Sequence, residues 1–424
     1  MRGLAAVALL CLVSTVAAQT SSLSSLPLND IQLPEGFSIA LYSQTPVRKA
    51  RQLALSGNDS RVVYVGSTAD TVVALVDVDG TGRNVSAVTL LSGLNSPNGV
   101  AWHEGTLYVA EISRITSYPN ADATTVALQP LPNGTVVAQN WNPSQDDHAV
   151  HYIKVGPDGL LYVPQGSPSN TGPCNRFENI TQCALNRMSL DGTDIHTFAT
   201  GIRNSVGYDW DLEGNLWASS NGRDQLDPDH DNRPDDPLNF LPAGTEPDTL
   251  DFGFPYCHWQ GEGNPLDRNV GPGFTILDDV NTPPNVNSNA SFTAYCENNQ
   301  VNQPPAQALG PHVAALGVTF YHGSAFPEEY NGTLFNAQHG SWDRDPPIGY
   351  RVMNAGVSSN GSTTSYSIFA QGWLQPNGSS WGRPVDVLPL TDGSLLVSDD
   401  SANAVYRISY DGSSTVQASS VAAG

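Results

Sequence analysis

The sequence predicts an all-β fold, a six-bladed β-propeller formed as a single domain over residues 19–424. Three observations carry that expectation. One strand–turn–strand unit recurs six times. Glycine, proline and short alternating runs dominate, with no long stretch of period 3.6. The second strand of each unit carries an apolar anchor, at Tyr64, Tyr108, Tyr162, Trp217, Phe335 and Leu396. These anchors fall at intervals of roughly 40 to 60 residues, the size of a blade, apart from one double interval. A β-sandwich or two unrelated β domains would not explain one unit repeated from end to end.

The elements follow in chain order. Arg2, an apolar run from Leu4 to Ala18 and the small-residue site Val16-Ala17-Ala18 read as a secretory signal, residues 1–18, with the mature chain starting near Gln19. The strand "GFSIALYS" is expected to join the last blade and close the ring. The repeating units are "RQLALSGNDSRVVYVGS" from Arg51, "NGVAWHEGTLYVAE" from Asn98 and "HAVHYIKVGPDGLLYVPQG" from His148. They continue with "RNSVGYDWDLEGNLWASSNGRD" from Arg203, "HVAALGVTFYHGSAFPEEYNGTLFNAQHG" from His312 and "RPVDVLPLTDGSLLVSDD" from Arg383. In the fourth unit, strands Gly207 to Trp210 and Asn215 to Ala218 flank the turn Leu212-Glu213-Gly214. The interval between Trp217 and Phe335 holds a polar, Pro-rich insertion around 225–310, which leaves room for a seventh blade.

Composition narrows the setting. Sequons at Asn58, Asn84, Asn133, Asn179, Asn289, Asn331, Asn360 and Asn377 suit an extracellular protein. Beyond the signal no apolar run is long enough to span a bilayer, so a secreted, soluble protein is expected; it is read as a monomer. Cys174, Cys183, Cys257 and Cys296 form an even set, paired here as sequence neighbours; a zinc site would want closer spacing. The net charge of −23 argues against nucleic acid and anionic membrane as partners. Lys49 and Lys154 are the only lysines. Almost every cation is therefore an arginine, suited to planar recognition of carboxylates.

In a propeller the residues before each inner strand converge at one mouth of the channel. These are Arg51, Asn98, His148, Arg203 with Asn204, His312 and Arg383. The turn after the second strand returns to that face with Glu111, Gln165, Gly222, Arg223, His339, Trp342 and Arg344. Arg203-Asn204 and Asn221-Gly222-Arg223-Asp224 thus become two lips of one pocket. Several arginines on one rim repel, so either an anionic guest or the chain's own acids must neutralise them. His148 is the best candidate for a proton acceptor. His151 is expected to point elsewhere, and His196, His258 and His322 have no repeat-based reason to face the channel. Asp227, Asp229 and Asp231 alternate in an acidic loop that calcium would tolerate, although it lacks the EF-hand glycine and terminal glutamate.

The stretches "LPEGFSIALYS", "LNSPNGVAWHEGTLYVAEISRI", "GIRNSVGYDWDLEGNLW", "HGSWDRDPPIGYRV" and "WGRPVDVLPLTDGSLLVSDD" resemble the PQQ-dependent pyranose dehydrogenases of the auxiliary-activity class. That family is related to sorbosone dehydrogenase and soluble quinoprotein glucose dehydrogenase. The resemblance implies pyrroloquinoline quinone (PQQ) on the axis, bound through Ca2+. It implies catalytic roles for His148 and Arg203, and quinone contacts from Arg51, Arg203, Asn204, His312, His339, Trp342, Arg344 and Arg383. It places metal-binding carbonyls on Gly222 and Arg223. His151 stands where relatives often read arginine, and Asp343 where asparagine is common.

The implied reaction is oxidation of an aldose or ketoaldose at C1, with His148 taking the hydroxyl proton while hydride passes to the quinone, and a separate redox partner accepting the electrons. A calcium-dependent lactonase or esterase is the alternative, and would recruit Asn98, Asn204 and Asp224 around a channel-centre metal. A third reading is a binding propeller without chemistry.

Overall fold

The computed structural model describes residues 23–412 apart from 58–60, 127, 140–147, 178–179, 227–231, 265–266 and 269. Six sheets of four or five strands, antiparallel except for one edge strand, make the blades of a propeller. Their inner strands are Ala50–Leu55, Gly99–His103, Lys154–Val155, Tyr208–Trp210, Ala315–Phe320 and Pro384–Pro389. Phe37–Leu41 pairs with Ala404–Tyr410, Phe37 opposite Tyr410. The early strand therefore completes blade six and closes the ring, as its position in the sequence predicts.

All six second-strand anchors are buried. Apolar clusters join each neighbouring pair of blades: Tyr64 with Leu107 between one and two, Trp217 with Val318 between four and five, and Leu53 with Leu396 between one and six. Each fully buried side chain of this size contributes about 1.5–3 kcal/mol of transfer free energy, which explains the anchor's recurrence. Nearer the axis the blades approach so closely that only glycine fits. A Cβ on Gly207 would lie 2.2 Å from the Leu316 carbonyl oxygen, and one on Gly317 2.1 Å from Asp386 Oδ1.

The insertion is narrower than the 225–310 span expected from sequence. Asp235–Leu241 is the third strand of blade four and Gln307–Pro311 its outer strand. Between them lie a hairpin, Cys257–Gln260 with Phe274–Leu277, and a helix, Asn289–Cys296, capped reciprocally by Ser288 and Ser291. Among the described residues no seventh blade is present; the insertion is instead a small satellite stapled by Cys257–Cys296. The second disulfide is Cys174–Cys183, so both pairs are the sequence neighbours.

Asp227, Asp229 and Asp231 lie outside the described residues. So do the signal and the sequons at Asn58 and Asn179, while the other six sequon asparagines are exposed. No helix among the described residues is long and apolar enough to cross a membrane.

Candidate active site

Residues from the starts of inner strands and the ends of second strands meet around one open hollow of about 230 Å³. Arg51, His148, Arg203 with Asn204, His312, His339 and Trp342 line it. The two lips of the fourth unit oppose each other as the repeat requires. Asn221 N donates to the Asn204 carbonyl at 2.9 Å, and Asn204 Nδ2 donates to Asn221 Oδ1 at 3.0 Å.

Arg51 and Arg203 converge on the hollow, and the chain supplies each with a carboxylate. Arg51 Nη1 lies 3.0 Å from Asp400 Oδ2, whose other oxygen accepts from His339 Nε2 at 2.8 Å. Arg203 Nη2 lies 2.9 Å from Asp224 Oδ2, whose other oxygen faces His312 Nδ1 at 3.5 Å. The hollow is thus flanked by two Arg–Asp–His arrays. The neutralisation that sequence left open is supplied by aspartates at both guanidiniums. Binding capacity remains, because among the described residues Arg51 Nη2 and Arg203 Nη1 make no hydrogen bond.

The protonation states follow from these contacts. Burial pushes His339 down to about 4 against the pull of Asp400, so the imidazole is neutral and its Nε2–H donates. Burial opposes ionisation of Asp400 and of Asp224. Their histidine and arginine partners outweigh it and hold both carboxyls below the usual range. Asp236 also lines the hollow; burial pushes it up to about 6 although it accepts from Gly222 N at 2.8 Å and Ala315 N at 2.9 Å. Those two bonds tie the lip Asn221–Asp224 to the start of blade five. There His312 and Ala314 hold left-handed φ angles of 53° and 50°, a conformation maintained only where surroundings over-determine it.

His148 Nδ1 lies 2.8 Å from the Ser167 carbonyl. A carbonyl only accepts, so Nδ1 carries the proton and Nε2 is the basic nitrogen. Trp342 stands 69% exposed at the mouth. Asp224, His312 and Asp343 each offer a ligand atom within 4.8 Å of the others, and Gly222 forms the adjoining wall. Among the described residues no backbone amide donates to the carbonyl of Gly222 or Arg223.

Other expected site residues lie elsewhere. Arg383 does not line the hollow: Nε and Nη2 donate to the carbonyls of His339 and Gly340, and its guanidinium covers the Tyr350 ring at 5.2 Å. Arg344 is turned to Asn232 Oδ1 at 2.9 Å and the Pro346 carbonyl. Asn98 is spent on Arg51 Nε at 2.7 Å and the His151 carbonyl at 2.6 Å, which breaks up the side-chain set a channel-centre lactonase metal would need. His151 is buried between the carbonyls of Pro164 and Ile112, and His196 and His322 make contacts away from the hollow. Sequence reasoning missed Asp236 and Asp400. Asp400 had a signal: it follows the second strand of blade six as His339 follows that of blade five. Asp236 sits inside a third strand, where the repeat gives no cue.

Residues 31–411 match the family described as TrAA12-like. The sequence is 28% identical over 409 residues to an uncharacterized protein of Borreliella burgdorferi, covering 94% of this chain and 95% of that one. It is 27% identical over 283 residues to the pyrroloquinoline quinone-dependent pyranose dehydrogenase of Coprinopsis cinerea, covering 60% of this chain and 37% of that longer protein. In fold it is similar to the calcium structure of the Trichoderma reesei family AA12 enzyme, with a TM-score of 0.73, 21% identity and coverage of 90% and 97%. The holo PQQ domain of the Coprinopsis pyranose dehydrogenase follows at 0.71 and 21%, covering 89% and 97%.

Proposed function

The chain belongs to the TrAA12-like family, and on that footing we propose that it is a secreted quinoprotein dehydrogenase that oxidises an aldose or ketoaldose at C1, with PQQ and calcium as cofactors. The observation that carries this reading is the hollow itself, where two anchored guanidiniums present unused N–H groups beside a histidine whose basic nitrogen is fixed.

The residues present fit such a group. PQQ is planar and carries three carboxylates, matching the flat donors Arg51 Nη2 and Arg203 Nη1, whose charge-assisted hydrogen bonds contribute about 1.5–3 kcal/mol each. Asp224 and Asp343 bring carboxylate oxygens together beside His312, and the carbonyls of Gly222 and Arg223 would add the further oxygen donors that calcium prefers. Bound there, the quinone would supply the two-electron acceptor and calcium the Lewis acid that polarises it.

The chain's own residues perform the remaining tasks. His148 Nε2 takes the proton of the sugar's C1 hydroxyl, while the Ser167 carbonyl holds the ring in that tautomer. Arg203, fixed by Asn170 and Asp224, is preorganised to face growing negative charge without reorganising. His312 and His339 serve as hydrogen-bonding walls, and Trp342 offers an exposed ring at the entrance. Arg383 acts from behind by holding the His339–Gly340 backbone. An acceptor outside this chain, a cytochrome or another secreted redox enzyme, removes the electrons. The signal at residues 1–18 and the two disulfides support an extracellular setting.

The test is reconstitution. Apo-protein titrated with PQQ and calcium should show saturable quinone absorbance changes and sugar-dependent reduction of an artificial acceptor. Absence of quinone binding at every calcium concentration would refute the proposal.

A further inference from the structure

The lip Asn221–Asp224 is gripped on its outer side by the disulfide-stapled insertion. Arg223 turns away from the hollow, and its Nη1 lies 2.5 Å from Asp278 Oδ2 and 2.5 Å from Asp279 Oδ1. Asp278 Oδ2 also meets His258 Nε2 at 2.8 Å. Arg223, Asp278 and His258 are 5%, 0% and 4% exposed at their side chains, whereas Asp279 is 60% exposed. Asp278 is itself rigidly held, since its Oδ1 accepts from Val280 N at 2.8 Å and Asn281 N at 2.6 Å. His258 follows Cys257, one end of the Cys257–Cys296 bridge. A continuous covalent and ionic path therefore runs from the staple to the wall of the hollow.

We propose that Asp278 is a positioning residue for the guest site: through Arg223 it fixes the lip that presents Gly222 and Asp224, making the insertion a working part of the site. This rests on the quinone–calcium reading above. The physical reason is that a four-residue lip has little packing of its own. Its inner side is tied by Asn204, Asp236, Ala315, Asn170 and Arg203, and its outer side by Arg223, paired with buried Asp278 and with exposed Asp279. Groups that orient metal ligands without touching the metal typically change affinity by about 10–100-fold when removed.

The experiment compares wild type, Asp278→Asn and a destabilised control remote from the lip, Leu107→Ala, which opens a cavity in the contact between blades one and two. Calcium is titrated at fixed PQQ and followed by quinone absorbance. D278N should need about tenfold more calcium or higher, while L107A matches wild type. Wild-type calcium dependence in D278N, or an equal loss in L107A, would overturn the proposal. A second arm uses cofactor-free protein: amides of Asn221 and Gly222, which donate to Asn204 O and Asp236 Oδ1, should exchange several-fold faster in D278N than in L107A. Equal exchange would also overturn it. Should wild type itself fail to bind quinone, the proposed function falls, and the exchange arm still decides the role of Asp278.

Discussion

Replacing Asp400 by asparagine removes the carboxylate shared by Arg51 and His339. The two bonds to that carboxylate are 3.0 Å and 2.8 Å long, and the side chains of Arg51, His339 and Asp400 are only 8%, 17% and 12% exposed. Water can replace the carboxylate only in part. Stripping one partner from a buried ion pair costs about 3–5 kcal/mol because the remaining charge is left uncompensated. Asn98 still accepts from Arg51 Nε, which puts the expectation near the lower end, about 3 kcal/mol. The amide can face one oxygen to Arg51, leaving its NH2 toward His339, so the imidazole must exchange tautomers. The pH dependence has a definite sign. The Asp400 carboxyl is depressed in the folded state, so its contribution is present above the ordinary carboxylate value of about 3.9 and is lost as pH falls below it. Urea unfolding of both proteins at pH 7 and pH 3 measures the difference. The gap should be widest at pH 7, already smaller at pH 3, and smaller still as pH falls further toward the depressed folded value. Asp399, pushed up to about 6 by burial, titrates in both and largely cancels. Equal stability at pH 7, or a gap that does not change with pH, would refute the reasoning.

Three further outcomes are expected. His148→Gln should lower kcat by about 100-fold or more, the usual scale of general-base loss, with PQQ affinity measured by absorbance changing little; a minor change in kcat would remove His148 from the mechanism. Trp342→Ala should raise KM for the sugar or weaken quinone binding without moving the melting temperature, since the ring is 69% exposed; a lowered melting temperature would contradict its place at the mouth. Asp386, which accepts from Leu53 N and Val387 N, is pushed up to about 7 by burial. A folded value above the unfolded one gives stability that is full at low pH and is lost as pH rises from about 4 to about 7. Asp386→Asn lacks that loss, so wild type should exceed the variant most near pH 4 and the gap should shrink toward neutrality in pH-dependent denaturation. A gap that widens with pH would contradict the assignment.

The repeat was legible because burial between blades demands the same thing six times. Tyr64, Trp217 and Leu396 answer one steric requirement, and its period survives in the sequence. The same periodicity placed Arg51, His148, Arg203, His312 and His339 at one mouth, since strand starts and second-strand ends share a face. Arg344 and Arg383 obeyed the repeat yet point elsewhere: periodicity fixes where a Cα lies, while a long side chain follows whichever acceptors it meets. Asp236 and Asp278 had no periodic cue, because each acts across elements far apart in the chain.

From the sequence by itself came the all-β class, the six blades, the closing strand and most of the pocket's membership, consequences of local alternation and a repeated burial pattern, while pairing the cysteines as sequence neighbours matched the two disulfides. Only tertiary structure decided which aspartate meets which arginine, which nitrogen of His148 and of His339 holds the proton, and that the satellite grips the lip. Those depend on distances between residues separated by as many as 349 positions, such as Arg51 and Asp400, and electrostatic pairing at 3 Å leaves no period for a sequence to display.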